Sequence, residues 1–354
     1  MTAFHLGIAC THAEDPAGAP NPAAPVSMDA IKGAWQASAA RLHSAMLEFE
    51  TRTTQETHAL KDFDKKAGVT TRAKSVDDAH SEYRRLTRMS IDGLKMRWEV
   101  LFQENNGNTA PEKLCLEVSD GRGSKSLTMP GELSRFPYPI GYIHSQNLIR
   151  SVSHLIDTLP VLMVTSRLLP QVVDAQQGTL SLDKYTIANR RARLVNSDCV
   201  ILEQGDPKAR RRNWVQNGMS LTDGIDHHYE QLWLDPSKDY AIVRYRNYLN
   251  TALWRQIDFQ LKGHSSGDVV PQSWTMTFYN ASDGKVSETR ESRVTKWTSN
   301  PQFKPSEFDF TFPPRTVISG YSRGNQLYVV GAGGKIRPAS PRDLEARPHE
   351  KQTR

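Results

Sequence analysis

A chain of 354 residues with 38% hydrophobic content carries enough apolar side chain for one large domain or two ordinary ones. The net charge of +6 is modest, and 7 Trp, 11 Phe and 11 Tyr accompany a mean hydropathy of −0.58, a balance that excludes a disordered protein. The basic excess gathers at 190–193, at 208–212 and in the C-terminal tail. No zinc-knuckle, helix-turn-helix or RNP-like pattern accompanies it, which argues against nucleic acid and leaves an acidic polymer or anionic membrane as a suitable partner.

Residues 1–10 (MTAFHLGIAC) hold a short apolar run without a positively charged start, and 11–13 close it with small residues. This reads as the rear part of an export signal whose front lies upstream, and it implies a periplasmic, envelope or secreted protein; an ordinary N-terminus is the plainer reading. Gly7 stands where a lipid-attachment motif places a Leu-like residue, so Cys10 is not favoured as a lipidation site. Residues 16–25 form a Pro/Ala-rich tether, and the expected organisation is signal remnant and tether over 1–26, one domain over 27–334 and a disordered basic tail over 335–354. Nothing reaches the roughly 18 to 20 consecutive apolar residues of a membrane-spanning helix.

Ser27 is a good N-cap, Asp29 suits the positive end of a helix, and Val26 with Ile31 fits a hydrophobic staple. Ile31, Trp35, Leu42, Met46 and Phe49 then recur at helical spacing, predicting an amphipathic helix of about 20 residues that covers a sheet. Residues 55–81 are polar and weakly patterned, a loop or extended hairpin. From Tyr83 the period becomes two: Met96, Trp98, Val100 and Phe102 share a face after the Asp92-Gly93 turn, and Leu114, Leu116 and Val118 repeat the pattern. Two short helical segments are expected over 148–159 and 161–169, parted by Pro160.

A second strand run follows. Strands are predicted over 185–194, 199–204, 240–248 and around Phe259, with turns at 235–238 and 280–284 and a basic loop over 205–218. Trp274, Met276 and Phe278 alternate with Thr275 and Thr277, residues 286–297 make another strand, and Phe308, Phe310 and Phe312 form an apolar closing strand stopped by Pro313-Pro314. Gly331-Ala332-Gly333-Gly334 reads as a hairpin turn, since no phosphate-loop Lys-Ser/Thr follows.

Chemical signatures are few. Residues 223–228 (DGIDHH) gather two carboxylates and two imidazoles, but adjacent His side chains point to opposite sides of a strand and do not readily share a metal. Cys115 and Cys199 lack metal-ligand or redox spacing, leaving one disulfide or two buried thiols. No nucleophile motif is present, so no catalytic residue, cofactor or metal is assigned.

A leading amphipathic helix, strand meanders split by a helical interlude, the Leu-Trp-Leu-Asp-Pro run at 232–236 and the closing Phe-x-Phe-x-Phe-Pro together resemble the LolA/LolB-like outer-membrane lipoprotein carrier superfamily, over residues 27–320. The resemblance implies an α+β, mainly antiparallel fold: an incomplete, half-open β-barrel or strongly curved sheet with covering helices. It also implies a non-enzymatic carrier for a lipid or lipoprotein acyl moiety, with an envelope sensor or protein-interaction module, contacted through 208–212, as the alternative. Large exposed apolar faces are costly and usually functional. Trp98, Trp274, Met276, Phe278, Phe308 and Phe310 are therefore the candidates for a ligand-binding inner face, unless they simply pack beneath the helices.

Overall fold

Ser27 is extended (φ −130°, ψ 159°) and its hydroxyl accepts from the Ala30 N–H at 3.1 Å, so the first helix starts where its cap stands. In the computed structural model this helix, α1, runs Met28–Arg41 and not on to Phe49. The structure describes residues 26–56, 80–103, 112–129, 138–144, 159–161, 163, 181–195, 197–206, 228–249, 251–264, 267–280, 283–319 and 326–344. The first predicted helical segment, over 148–159, lies almost wholly outside them; Leu159, Pro160, Val161 and Met163 are helical, with the last three buried.

Helix α1 stops because Leu42 turns into the interior (1% exposed) and Asn300 staples the exit. The Asn300 amide donates to the Arg41 carbonyl (2.9 Å) and its Oδ1 accepts from the His43 and Ser44 N–H groups (3.0 and 3.3 Å). The chain then enters β1 (Ser44–Glu56), in which Ala45, Leu47, Phe49, Thr51 and Thr53 are buried on one face. Met46 and Phe49, which continue the helical spacing of Leu42, thus belong to opposite faces of a strand.

Fifteen further strands follow: β2 (His80–Asp92), β3 (Lys95–Gln103), β4 (Glu112–Ser119), β5 (Ser124–Thr128), β6 (Ile140–His144), β7 (Thr186–Leu194), β8 (Ser197–Gln204), β9 (His228–Asp235), β10 (Ala241–Leu249), β11 (Ala252–Gly263), β12 (Val269–Tyr279), β13 (Val286–Ser299), β14 (Val317–Ser319), β15 (Tyr328–Val330) and β16 (Ile336–Pro338). They form one sheet in the order β16-β15-β14-β6-β5-β4-β3-β2-β1-β13-β12-β11-β10-β9-β8-β7. All its pairings are antiparallel except β6 with β14. The fold is mainly antiparallel β, a curved sheet not closed into a barrel, as expected. Register shifts within the β1–β13, β3–β4, β7–β8 and β9-to-β13 pairings each add local twist and bend the sheet.

Two apolar layers lie on opposite faces. The inner layer takes Leu47 and Phe49 from β1, Met89 and Ile91 from β2, Met96, Trp98 and Val100 from β3 and Cys115 from β4. From the second half it takes Val200, Leu202, Leu232, Leu234, Tyr245, Ile257, Phe259, Trp274, Met276, Phe278 and Val294. Ile31 and Trp35 of α1, with Val161 and Met163, close over it. The outer layer is smaller: Leu116, Val118, Leu127, Ile318 and Val330 pack with Phe308 and Phe312.

This arrangement corrects two expectations, for 308–312 and for the tail, and fixes which side of β4 faces inward. Residues 308–312 are not a strand: Phe308 ends a 3-10 turn (Pro305–Phe308) and the next residues cross the outer face without ladder pairing. Leu116 and Val118 do not share the face of Trp98, because Cys115 and Glu117 take the inner positions of β4 opposite Val100 and Trp98. The tail expected to be disordered from 335 contributes β16 and a short helix, α2 (Pro341–Leu344), where Arg337 pairs with Asp343 at 2.8 Å.

Candidate functional site

Of the six residues expected on one inner face, four share it. Trp98 (0% exposed), Trp274 (3%), Met276 (1%) and Phe278 (9%) stand in the inner layer. Phe49, between them on β1, meets Trp98 and Trp274 edge to face, with ring centroids 5.9 and 4.8 Å apart. Phe308 and Phe310 belong to the outer layer instead, against Phe303 and Phe312. Their alternation reports a common side, but the segment crosses β2 and β3 from outside, where the Glu307 carboxylate accepts from Ser90 (2.8 Å) and its carbonyl from Arg97 (3.0 Å).

The cover of the inner layer is attached by side chains at both ends of the strands. The Trp35 indole N–H donates to the Tyr240 carbonyl (2.9 Å), Lys32 pairs with Asp183 (2.5 Å), and Arg41 reaches the fully buried side chain of Asp268 (2.9 Å). Asp183, before β7, lies at the end of the strands where β9 starts, whereas Tyr240 and Asp268 stand before β10 and β12, at the opposite end. Asp235, which closes β9 there, is 1% exposed. Burial alone would push its carboxyl up; the Ser237 hydroxyl and N–H and the Lys238 ammonium outweigh it and hold the group below the ordinary value.

At the other end of the strands the inner face changes character. Cross-strand register sets Glu230 of β9, Asn247 of β10, Arg255 of β11, Phe278 of β12, Glu288 of β13 and Gln55 of β1 in one transverse row. Glu230 accepts from the Tyr185 hydroxyl (2.9 Å), the Tyr245 hydroxyl (2.9 Å) and the Asn247 amide (3.0 Å). Burial, followed by the nearby Glu230 charge, pushes both phenols well up, so they stay protonated donors. Glu288 pairs with Arg290 and accepts from Gln55 at 3.0 Å, and the Arg290 guanidinium lies over the Phe278 ring (5.3 Å). Arg255 stacks over Tyr245 (5.6 Å) and Trp254 (5.1 Å). No single residue of this row is conspicuous in the sequence; only the register brings them together.

A depression of about 700 Å³ opens among mostly outward-facing residues, Glu50, Arg52, Arg84, Gln260, Glu291 and Arg293 among them. Its lining is polar, unlike the inner layer. Cys115 and Cys199 are buried thiols, on β4 and β8, and burial pushes them up to about 12 and about 11. Among the described residues they form no disulfide, and neither thiol is poised as a nucleophile. Residues 208–212 and 223–227 lie outside the described residues. Among the described residues no group of three or more His, Cys, Asp or Glu side chains is placed to hold a metal, and no helix is long and apolar enough to cross a membrane.

No family model matches this sequence, and no curated protein does. Among solved structures the chain is similar to a LolA superfamily protein from Nitrosomonas europaea, with 12% identity and a TM-score of 0.40 over 80% of this chain and 98% of that one. It is also similar to the Mycobacterium tuberculosis lipoprotein LppX, with 11% identity and a TM-score of 0.26 over 78% and 97% of the two chains. A porin-like protein from Bacteroides uniformis follows at 8% identity and a TM-score of 0.20, over 71% and 96%.

Proposed function

We propose that this protein is an exported, non-enzymatic carrier that holds the apolar chain of a lipid or lipoprotein between the inner face of the sheet and its helical cover. The observation that carries the reading is the inner layer itself. It runs without interruption across ten strands, from Cys115 on β4 to Val200 on β8, a width of about 43 Å at the usual strand spacing. Helix α1, of 14 residues, is about 21 Å long. It is held by a few side-chain contacts, Lys32 to Asp183 at one end of the strands and Trp35 and Arg41 to Tyr240 and Asp268 at the other, and by no ladder hydrogen bonds. It can therefore lift while the sheet keeps its register.

Insertion of a chain would gain about 0.8 kcal/mol per methylene removed from water, against the local cost of displacing α1. Trp98, Trp274, Met276 and Phe278 are the contacts proposed for it. Native mass spectrometry of the purified protein, with solvent extraction and lipid analysis, tests the reading. The expected result is a co-purifying amphiphile, and saturable binding of a fluorescent fatty acid after delipidation. A reproducibly ligand-free protein that also fails to bind the fatty acid would end the carrier reading.

A further inference from the structure

The polar row on the inner face is more than a boundary. Asn247 is 2% exposed, yet among the described residues its Oδ1 has no hydrogen-bond partner, nor has the Arg255 Nε beside it or the Thr53 Oγ1 (0% exposed) opposite Arg290 in the adjacent row. The Asn247 orientation is fixed by chemistry: Glu230 only accepts, so the amide must turn its N–H to the carboxylate and its oxygen away. Leaving such groups buried and unpaired is costly unless something else meets them.

Asn247 stands opposite Arg255 in the ladder, so one group that accepts from the Arg255 N–H and donates to Asn247 Oδ1 meets both. A hydroxyl does both. A sulfate ester or a fully ionised phosphate ester only accepts, and a quaternary ammonium does neither. The charge of the site agrees, because Glu230 and Glu288 offset Arg255 and Arg290, leaving no net field for an ion. The Arg255 guanidinium lies over the Tyr245 ring beside these atoms, and the apolar layer continues from Tyr245 to Ile257 and Met276.

We infer that the row is a headgroup subsite for a neutral, hydroxyl-bearing amphiphile, a sugar or polyol lipid, whose chain lies along the inner layer. The inference rests on the carrier reading and names the class of its cargo. Decyl glucoside, decyl phosphate and decyltrimethylammonium, kept below micelle-forming concentration, share one chain and differ only in the head. Titrated calorimetrically into the delipidated protein, the glucoside binds about tenfold or more tighter than either ion, a difference expected of one or two well-made hydrogen bonds. Arg255→Gln and Asn247→Ala each erase that preference while binding of decanol, which has a minimal head, stays within about twofold of the parent in the same assay. Free glucose does not compete.

Equal binding of all three heads, or an unchanged preference in both variants, overturns the subsite and leaves the carrier standing. Competition by free glucose at the affinity of decyl glucoside also overturns it, as the signature of a simple sugar site. Binding of none of the decyl compounds overturns both. Far-ultraviolet circular dichroism and the decanol isotherm establish that each variant is folded.

Discussion

Phe49 is the residue on which the packing of the inner face can be tested most directly. It is 1% exposed and presents its ring to Trp98 and Trp274 at once. Phe49→Ala removes a fully buried aromatic side chain, for which the lost transfer energy and the residual cavity together cost about 3–5 kcal/mol. Two edge-to-face contacts of about 0.5–1.5 kcal/mol each are part of that loss. Phe49→Leu keeps most of the apolar fill and forfeits mainly those contacts, so it should cost about 1–3 kcal/mol. In urea unfolding followed by tryptophan fluorescence, a slope of about 3 kcal/mol per molar converts the alanine loss into a midpoint lowered by about 1–1.7 M. The leucine variant should fall between that value and the parent. An alanine midpoint within about 0.3 M of the parent, with an unchanged slope, would refute close packing of Phe49 between the two indoles.

Gly141 faces Phe312 so closely that a Cβ there would lie 2.5 Å from a ring carbon, so Gly141→Ala should destabilise by about 1–3 kcal/mol through displacement of the outer layer, read by thermal unfolding. Asp235 has a folded pKa below its unfolded value, so its stabilisation is fully present above the ordinary carboxylate range and lost as pH falls through the folded pKa. The stability gap between the parent and Asp235→Asn should therefore narrow from pH 6 towards about pH 3 in parallel urea titrations; a constant gap would contradict the assigned hydrogen bonds. In a Cys10→Ser background, Cys115 and Cys199 should resist a thiol reagent in the folded protein and both react in denaturant, and rapid labelling of native Cys115 would show that the inner face is open at β4.

Much of the sheet was legible because its strands alternate plainly: Trp274, Met276 and Phe278 were expected on one face and stand there. The limit was long-range information. Leu42, Met46 and Phe49 satisfy a helical period by coincidence, and the partner that ends the helix, Asn300, lies more than 250 residues away in sequence. Phe308, Phe310 and Phe312 show the complementary failure. Alternation states that side chains share a side, not which side of a sheet the segment crosses, and here Leu116 and Leu127 drew it outward. The polar row was hidden for a third reason. Glu230, Asn247, Arg255 and Glu288 each pass for an ordinary solvated residue until four ladders bring them abreast.

The ladder between β1 and β13 also governs how the protein is made. It joins residues 45–55 to 288–299 and is the seam through which the two halves become one sheet. Contacts so distant along the chain form late and slowly. During synthesis β1 can pair with β2 on one side, while its other edge waits for a strand still inside the ribosome or not yet translated. That open edge, flanked by Leu47 and Phe49, is a ready template for aggregation. A chaperone that shields β1 until the last third of the chain has emerged should raise the yield of folded protein more than one acting on any later strand.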